Sequence, residues 1–206
     1  MKIQINRKFI TTFTIIVAIS ASIIFYFFSK RDPFTVFKTQ REKINNPSKI
    51  IQQDLNKNGI TEDYQLKNGS LTITEQSKQI WQSPSIWWIE DFALGDANND
   101  KIVDINMSVW KSGDFGPSKP FWVKTNDPAV KNHFFMFDLL DNKMKSIWQS
   151  SNLDAPNCTI EIKDVDNDSK NNLLVQEGDY DSTVCTPKYE ALWKWNEWGF
   201  TNEWRK

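Results

Sequence analysis

Oxygen-bearing side chains stand at positions 1, 3, 5 and 9 of three short stretches of this chain. One carries Asp54, Asn56, Asn58 and Glu62, the next Asp96, Asn98, Asp100 and Asp104, and the last Asp164, Asp166, Asp168 and Asn172. Hard divalent cations take oxygen ligands from carboxylates, amide oxygens and backbone carbonyls. The backbone carbonyls of Ile60, Ile102 and Lys170, at position 7, complete each set. Counting carboxylates gives formal charges of −2, −3 and −3, so the first stretch is expected to hold a cation most weakly. An EF-hand does not fit: its twelfth position needs a bidentate Glu, and Gln65, Met107 and Val175 stand there. The competing reading is a β-turn rich in Asn and Asp that needs no ion. We expect calcium.

These loops must be held by strands. The apolar residues 88–94 lead into the second stretch and residues 105–110 lead out of it. From Lys49 onward, short β-rich runs alternate with Asn, Gly, Asp and Ser, the pattern of successive antiparallel strands. The chain also repeats itself. Residues 78–83, Lys-Gln-Ile-Trp-Gln-Ser, return at 145–150 as Lys-Ser-Ile-Trp-Gln-Ser, with a degenerate copy at 202–205. Three units follow, at about 49–83, 87–151 and 157–206, each reading strand, acidic loop, strand, hairpin, strand, Trp-bearing strand. Hairpins are expected at Lys67-Asn68-Gly69, at residues 140–143 and near Trp198-Gly199, and an insertion at 111–131.

Four-stranded units that cannot bury their faces alone stack as blades of a β-propeller. Closed propellers need about four or more blades. The expected fold is therefore all-β, an open or incomplete array of three four-stranded blades, with a protein partner or a second copy of the chain free to close it.

Residues 1–31 carry Lys2, Arg7, Lys8, Lys30 and Arg31 and no acid, a charge of +5. With the whole chain at −1, the remainder stands at −6, which argues against a nucleic-acid partner. Residues 9–28 form an uncharged, largely apolar run. At about 1.5 Å per residue a helix of that length spans roughly 30 Å, the thickness of a bilayer core. We expect residues 1–8 in the cytoplasm, a single-pass anchor at 9–28, a stalk at 29–48 that is partly helical around 36–44, and an exported domain from 49 to 206. A cleaved signal peptide, whose apolar core is about 7–15 residues, is the competing reading. Export suits a disulfide between Cys158 and Cys185, expected across neighbouring strands; two buried thiols are the alternative.

The remaining candidates are aromatic or acidic. Trp110, Phe115, Phe121 and Trp122 could form a stacking platform for a ligand on the insertion, with His133, the single histidine, at its rim. Trp81, Trp148, Trp193 and Trp204 recur with the repeat and are expected in the core. No catalytic constellation stands out; a surface hydrolase acting on envelope glycans or polymers through Glu177, Asp179 and Asp181 is the alternative function.

The three acidic loops resemble FG-GAP/VCBS repeats, the blade units of integrin alpha-subunit heads and of many exported bacterial proteins. Their pattern is Asp-x-Asp/Asn-x-Asp/Asn-Gly-x-x-Asp followed by an apolar strand. Gly59 matches the glycine, whereas Lys101 and Ser169 depart from it. Residues 87–95, 112–122 and 193–200 are similar to a repeat region found beside bacterial poly-γ-glutamate capsule-synthesis-like domains. The resemblance covers about residues 49–205. It implies a calcium-stabilised binding or scaffolding module.

Overall fold

A computed structural model describes residues 32–44, 48–115, 121–125, 127–182 and 184–206. The expected anchor at 9–28 and the cytoplasmic segment at 1–8 lie outside the described residues. Among the described residues no helix is long and apolar enough to cross a membrane.

The described chain folds into three four-stranded antiparallel sheets and one short helix. The first sheet comprises β1 (Lys49–Gln53), β2 (Glu62–Lys67), β3 (Ser70–Glu75) and β4 (Lys78–Gln82). The second comprises β5 (Trp88–Gly95), β6 (Asp104–Ser112), β7 (Val130–Leu140) and β8 (Lys143–Gln149). The third comprises β9 (Asn157–Lys163), β10 (Asn172–Glu177), β11 (Tyr189–Trp195) and β12 (Phe200–Arg205). Each is a meander in which consecutive strands pair, and none closes into a barrel among the described residues. Asn68 and Gly69 (φ 49° and 69°) turn the first hairpin, and Asp141 and Asn142 (φ 49° and 59°) turn the one between β7 and β8. Paired left-handed residues suit the right-handed twist of the strands they join. Gly69 has a second reason to be glycine: a Cβ there would run into the Trp88 ring. The insertion is shorter than expected, because β6 runs on to Ser112 and β7 begins at Val130.

The second sheet lies between the other two. Ile105, Met107 and Val109 of β6 and Phe135, Phe137 and Leu139 of β7 pack with Tyr64, Leu71 and Ile73 of the first sheet. The alternate residues Phe134 and Met136 pack with Ile160, Leu173, Val175 and Ala191 of the third. A strand covered on both faces reads as an unbroken apolar run, which explains Phe134-Phe135-Met136-Phe137. Asp91 of β5 links the first strands of all three sheets. It accepts hydrogen bonds from Lys49 Nζ on β1 (2.7 Å) and from the Ile160 amide on β9 (2.9 Å).

The helix α1 (Pro33–Glu42) starts at Asp32, whose side chain accepts from the Thr35 amide at 3.0 Å, with Pro33 as the first helical residue. It begins before the expected 36–44 because this cap and proline define its start. Residues expected to be a stalk are docked: Phe34 and Phe37 pack with Trp88, Trp110 and Tyr180. The Arg41 guanidinium lies over the Phe37 and Trp110 rings (4.8 and 4.7 Å to the centroids) and pairs with Glu90. Cys158 and Cys185 are bonded. The expected disulfide is present, but it ties β9 to the β10–β11 connection, whereas the sequence leads us to expect it across neighbouring strands.

Candidate metal centre

Each acidic loop connects the first strand of a sheet to the second, and each is built in the same way. The position 1 aspartate accepts from the position 6 amide: Asp54 from Gly59 (3.0 Å), Asp96 from Lys101 (2.8 Å), Asp164 from Ser169 (2.9 Å). The position 5 side chain accepts from the position 7 amide: Asn58 from Ile60 (2.7 Å), Asp100 from Ile102 (2.8 Å), Asp168 from Lys170 (2.8 Å). Asn56 and Asn98 at position 3 accept from position 5 amides at 2.9 and 3.1 Å. Positions 4 and 6 have positive φ throughout: Lys57 and Gly59, Asn99 and Lys101, Asn167 and Ser169. Glycine is therefore dispensable at position 6, where Lys101 and Ser169 adopt the left-handed conformation (φ 74° and 66°) held by the aspartate at position 1.

Position 9 differs among the three. Glu62 is buried and accepts from the Leu55 amide (2.8 Å) and the Tyr64 hydroxyl (3.1 Å) through one oxygen. Its other oxygen has no donor, and neither does Oδ1 of Asp54. Asn172 accepts from the Val165 amide at 3.0 Å. Asp104 is fully buried and faces the Ala97 amide, yet neither of its oxygens makes a hydrogen bond of regular geometry. Burial, then contact with the Asp138 carboxyl, raises its pKa far above the ordinary carboxylate range.

Three residues outside the sequence pattern reach these loops, all from the second hairpin of a sheet. Glu75 pairs with Glu62 across β2 and β3 and accepts from Asn56 (3.0 Å) and Asn58 (2.6 Å), which lowers its pKa. Asp138 stands opposite Asp104, one step beyond the paired Ile105 and Phe137. Lys194 stands opposite Asn172, one step beyond Leu173 and Trp193, and its Nζ lies 2.5 Å from Asp166 and 3.6 Å from Asp168. The carboxylates of Asp164, Asp166 and Asp168 approach within 4.8 Å of one another, and all three are exposed. The second and third loops also touch: Asn171 donates to Asn99 Oδ1 (2.7 Å), and Asn99 donates to the Asn171 carbonyl (3.1 Å). Position 9's opposite number could have been found only by fixing the hairpin register first.

Oxygen-only sets of this kind fit a hard cation and not zinc, which prefers nitrogen and sulfur. The fit is best where buried oxygens lack donors, at Asp54, Glu62 and Asp104.

The aromatic candidates do not form one platform. Trp110 lies on β6, 3% exposed, and donates to Glu90 at 2.8 Å. It is in the core because its ring fills the space between α1 and the second sheet. His133 on β7 is fully buried, with Nδ1 3.2 Å from the Ser150 carbonyl; burial first, and the nearby Lys111, lower its pKa to about 4. Phe121 and Trp122 are 92% and 68% exposed. Phe115 instead lines an apolar cavity of about 530 Å³ together with Phe34, Trp87 and Lys111. Of the acids considered for hydrolysis, Glu177 is buried beside Arg205 (2.6 Å), Asp179 pairs with Lys188, and Asp181 is exposed.

No protein-family model matches the chain, and no curated protein matches it.

Proposed function

We propose that the chain is a membrane-anchored, extracytoplasmic, calcium-stabilised β-repeat module of the FG-GAP/VCBS kind. Its three sheets act as propeller-like blades in an open array, and the module binds or scaffolds at the cell surface, with a protein or an envelope polymer as partner. The reading rests on one observation: the same two hydrogen bonds, from the position 6 and position 7 amides to the side chains at positions 1 and 5, recur at the same turn of all three sheets, and in the first two sheets buried carboxylate oxygens beside them lack donors. Unpaired buried carboxylates are costly, and a bound cation offsets that cost. The exposed Phe121 and Trp122 offer apolar surface to a partner.

The test is thermal unfolding of the full-length protein in detergent, with calcium or with chelator. A ligand at one hundred times its dissociation constant adds about 2.7 kcal/mol to the folded state. The melting temperature is expected to rise in calcium and to fall on chelation. Identical melting curves, with no heat of calcium binding, would remove the metal from this proposal.

A further inference from the structure

We propose that the residue facing position 9 across the sheet decides what neutralises each loop: Asp138 joins Asp104 in a buried divalent-cation site in the middle repeat, whereas in the last repeat the Lys194 ammonium takes the cation's place. This inference rests on the calcium reading above and extends it to residues outside the loop pattern.

The middle site is built from buried oxygens that the surrounding donors leave largely unmatched, the Ala97 amide facing Asp104 being the exception. Asp104 and Asp138 are 0% and 5% exposed and face each other across β6 and β7. Both oxygens of Asp104 and Oδ1 of Asp138 have no hydrogen-bond partner. Asn106 is two residues along β6 from Asp104, so it shares its face. Its amide nitrogen is committed to the carbonyls of Gly95 (2.8 Å) and Asp104 (3.3 Å). The Asn106 carbonyl oxygen is thereby fixed as a further acceptor without a donor, in a fully buried side chain. Four buried acceptor oxygens from three side chains lie on one face of the adjacent strands β6 and β7, an arrangement a cation between the two carboxyl groups would serve. All are oxygens, so the ligand is a hard divalent ion such as calcium.

The last repeat reaches neutrality by another route. Its loop carries as many acids as the middle one, but position 9 is the neutral Asn172 and the residue opposite is a lysine. Lys194 Nζ contacts Asp166 and Asp168, two of the three carboxylates that cluster there. An ammonium brings three donors to the oxygens a metal would use, so the two cations compete for one place.

Calorimetric titration of the full-length protein with calcium chloride tests both halves, comparing wild type, Asp138→Asn and Lys194→Met. Asp138→Asn is expected to lose one calcium per chain or to weaken that site at least tenfold. Lys194→Met is expected to gain one calcium per chain. Lys194 is 32% exposed, so its replacement leaves the core intact and its calcium stoichiometry can be read even if Asp138→Asn does not fold. Wild-type binding in Asp138→Asn overturns the middle site. Unchanged stoichiometry in Lys194→Met overturns the role of the lysine. If the wild type itself takes up no calcium, the calcium reading falls and this inference falls with it.

Discussion

The middle and last repeats carry loops of equal formal charge in opposite surroundings. Strand β6 is buried along all but its final residue, and its loop ends in a buried aspartate facing another. The last sheet turns one side to solvent: β12 is mostly exposed, and the acids of its loop are exposed beside a lysine. Between them lies a polar seam. Ser108 donates to the Asn157 carbonyl at 2.6 Å, and the Asn157 amide donates to Asn132 at 3.0 Å. At that end of the seam Ser108 and Asn132 are partnered; at the Asp104 end the Asn106 oxygen and Oδ1 of Asp138 have no donor. An identical loop design therefore has different chemistry according to depth. Charge buried between sheets has to be neutralised, by a proton or by a counter-ion, whereas charge in water is satisfied by a flexible side chain and contributes little to stability.

Core truncation should separate the two repeats most. Phe135→Ala in the middle sheet is expected to cost about 3–5 kcal/mol, and Trp204→Ala on β12 less than half as much, measured by denaturant unfolding. Equal losses would show that the last sheet is as deeply integrated as the middle one. The last repeat should depend instead on its covalent tie. Cys158 and Cys185 are separated by 27 residues, a closure that loop entropy values at about 3–4 kcal/mol. Reduction should lower the melting temperature and speed proteolysis of the 178–188 connection; unchanged curves would show that packing alone holds it.

Acid should act mainly on the middle sheet. His133 is held neutral, with a folded pKa of about 4 against an ordinary 6.5. The unfolded chain binds the extra proton first, so this contribution is complete above about pH 6.5 and is lost as pH falls toward 4. The loss amounts to at most roughly 3 kcal/mol. In His133→Gln that part of the decline should be missing. Superimposable pH profiles for the two proteins would exclude His133 as its source.

The loops, the three repeating units and the four-strand pattern were legible in the sequence because their chemistry is local. An aspartate that closes onto an amide five residues away, or a left-handed Asn-Gly hairpin, is specified within about ten residues. Tertiary structure alone decided which side chain stands opposite position 9, so Glu75, Asp138 and Lys194 stayed hidden. Their pairing depends on the register of a second hairpin whose length varies among the repeats. It also decided that α1 docks on the middle sheet, and that Trp110 and His133 lie in the core while Phe121 and Trp122 face outward. An aromatic residue has the same identity on either side of a strand end, and only the packing of neighbouring elements determines whether it meets protein or water.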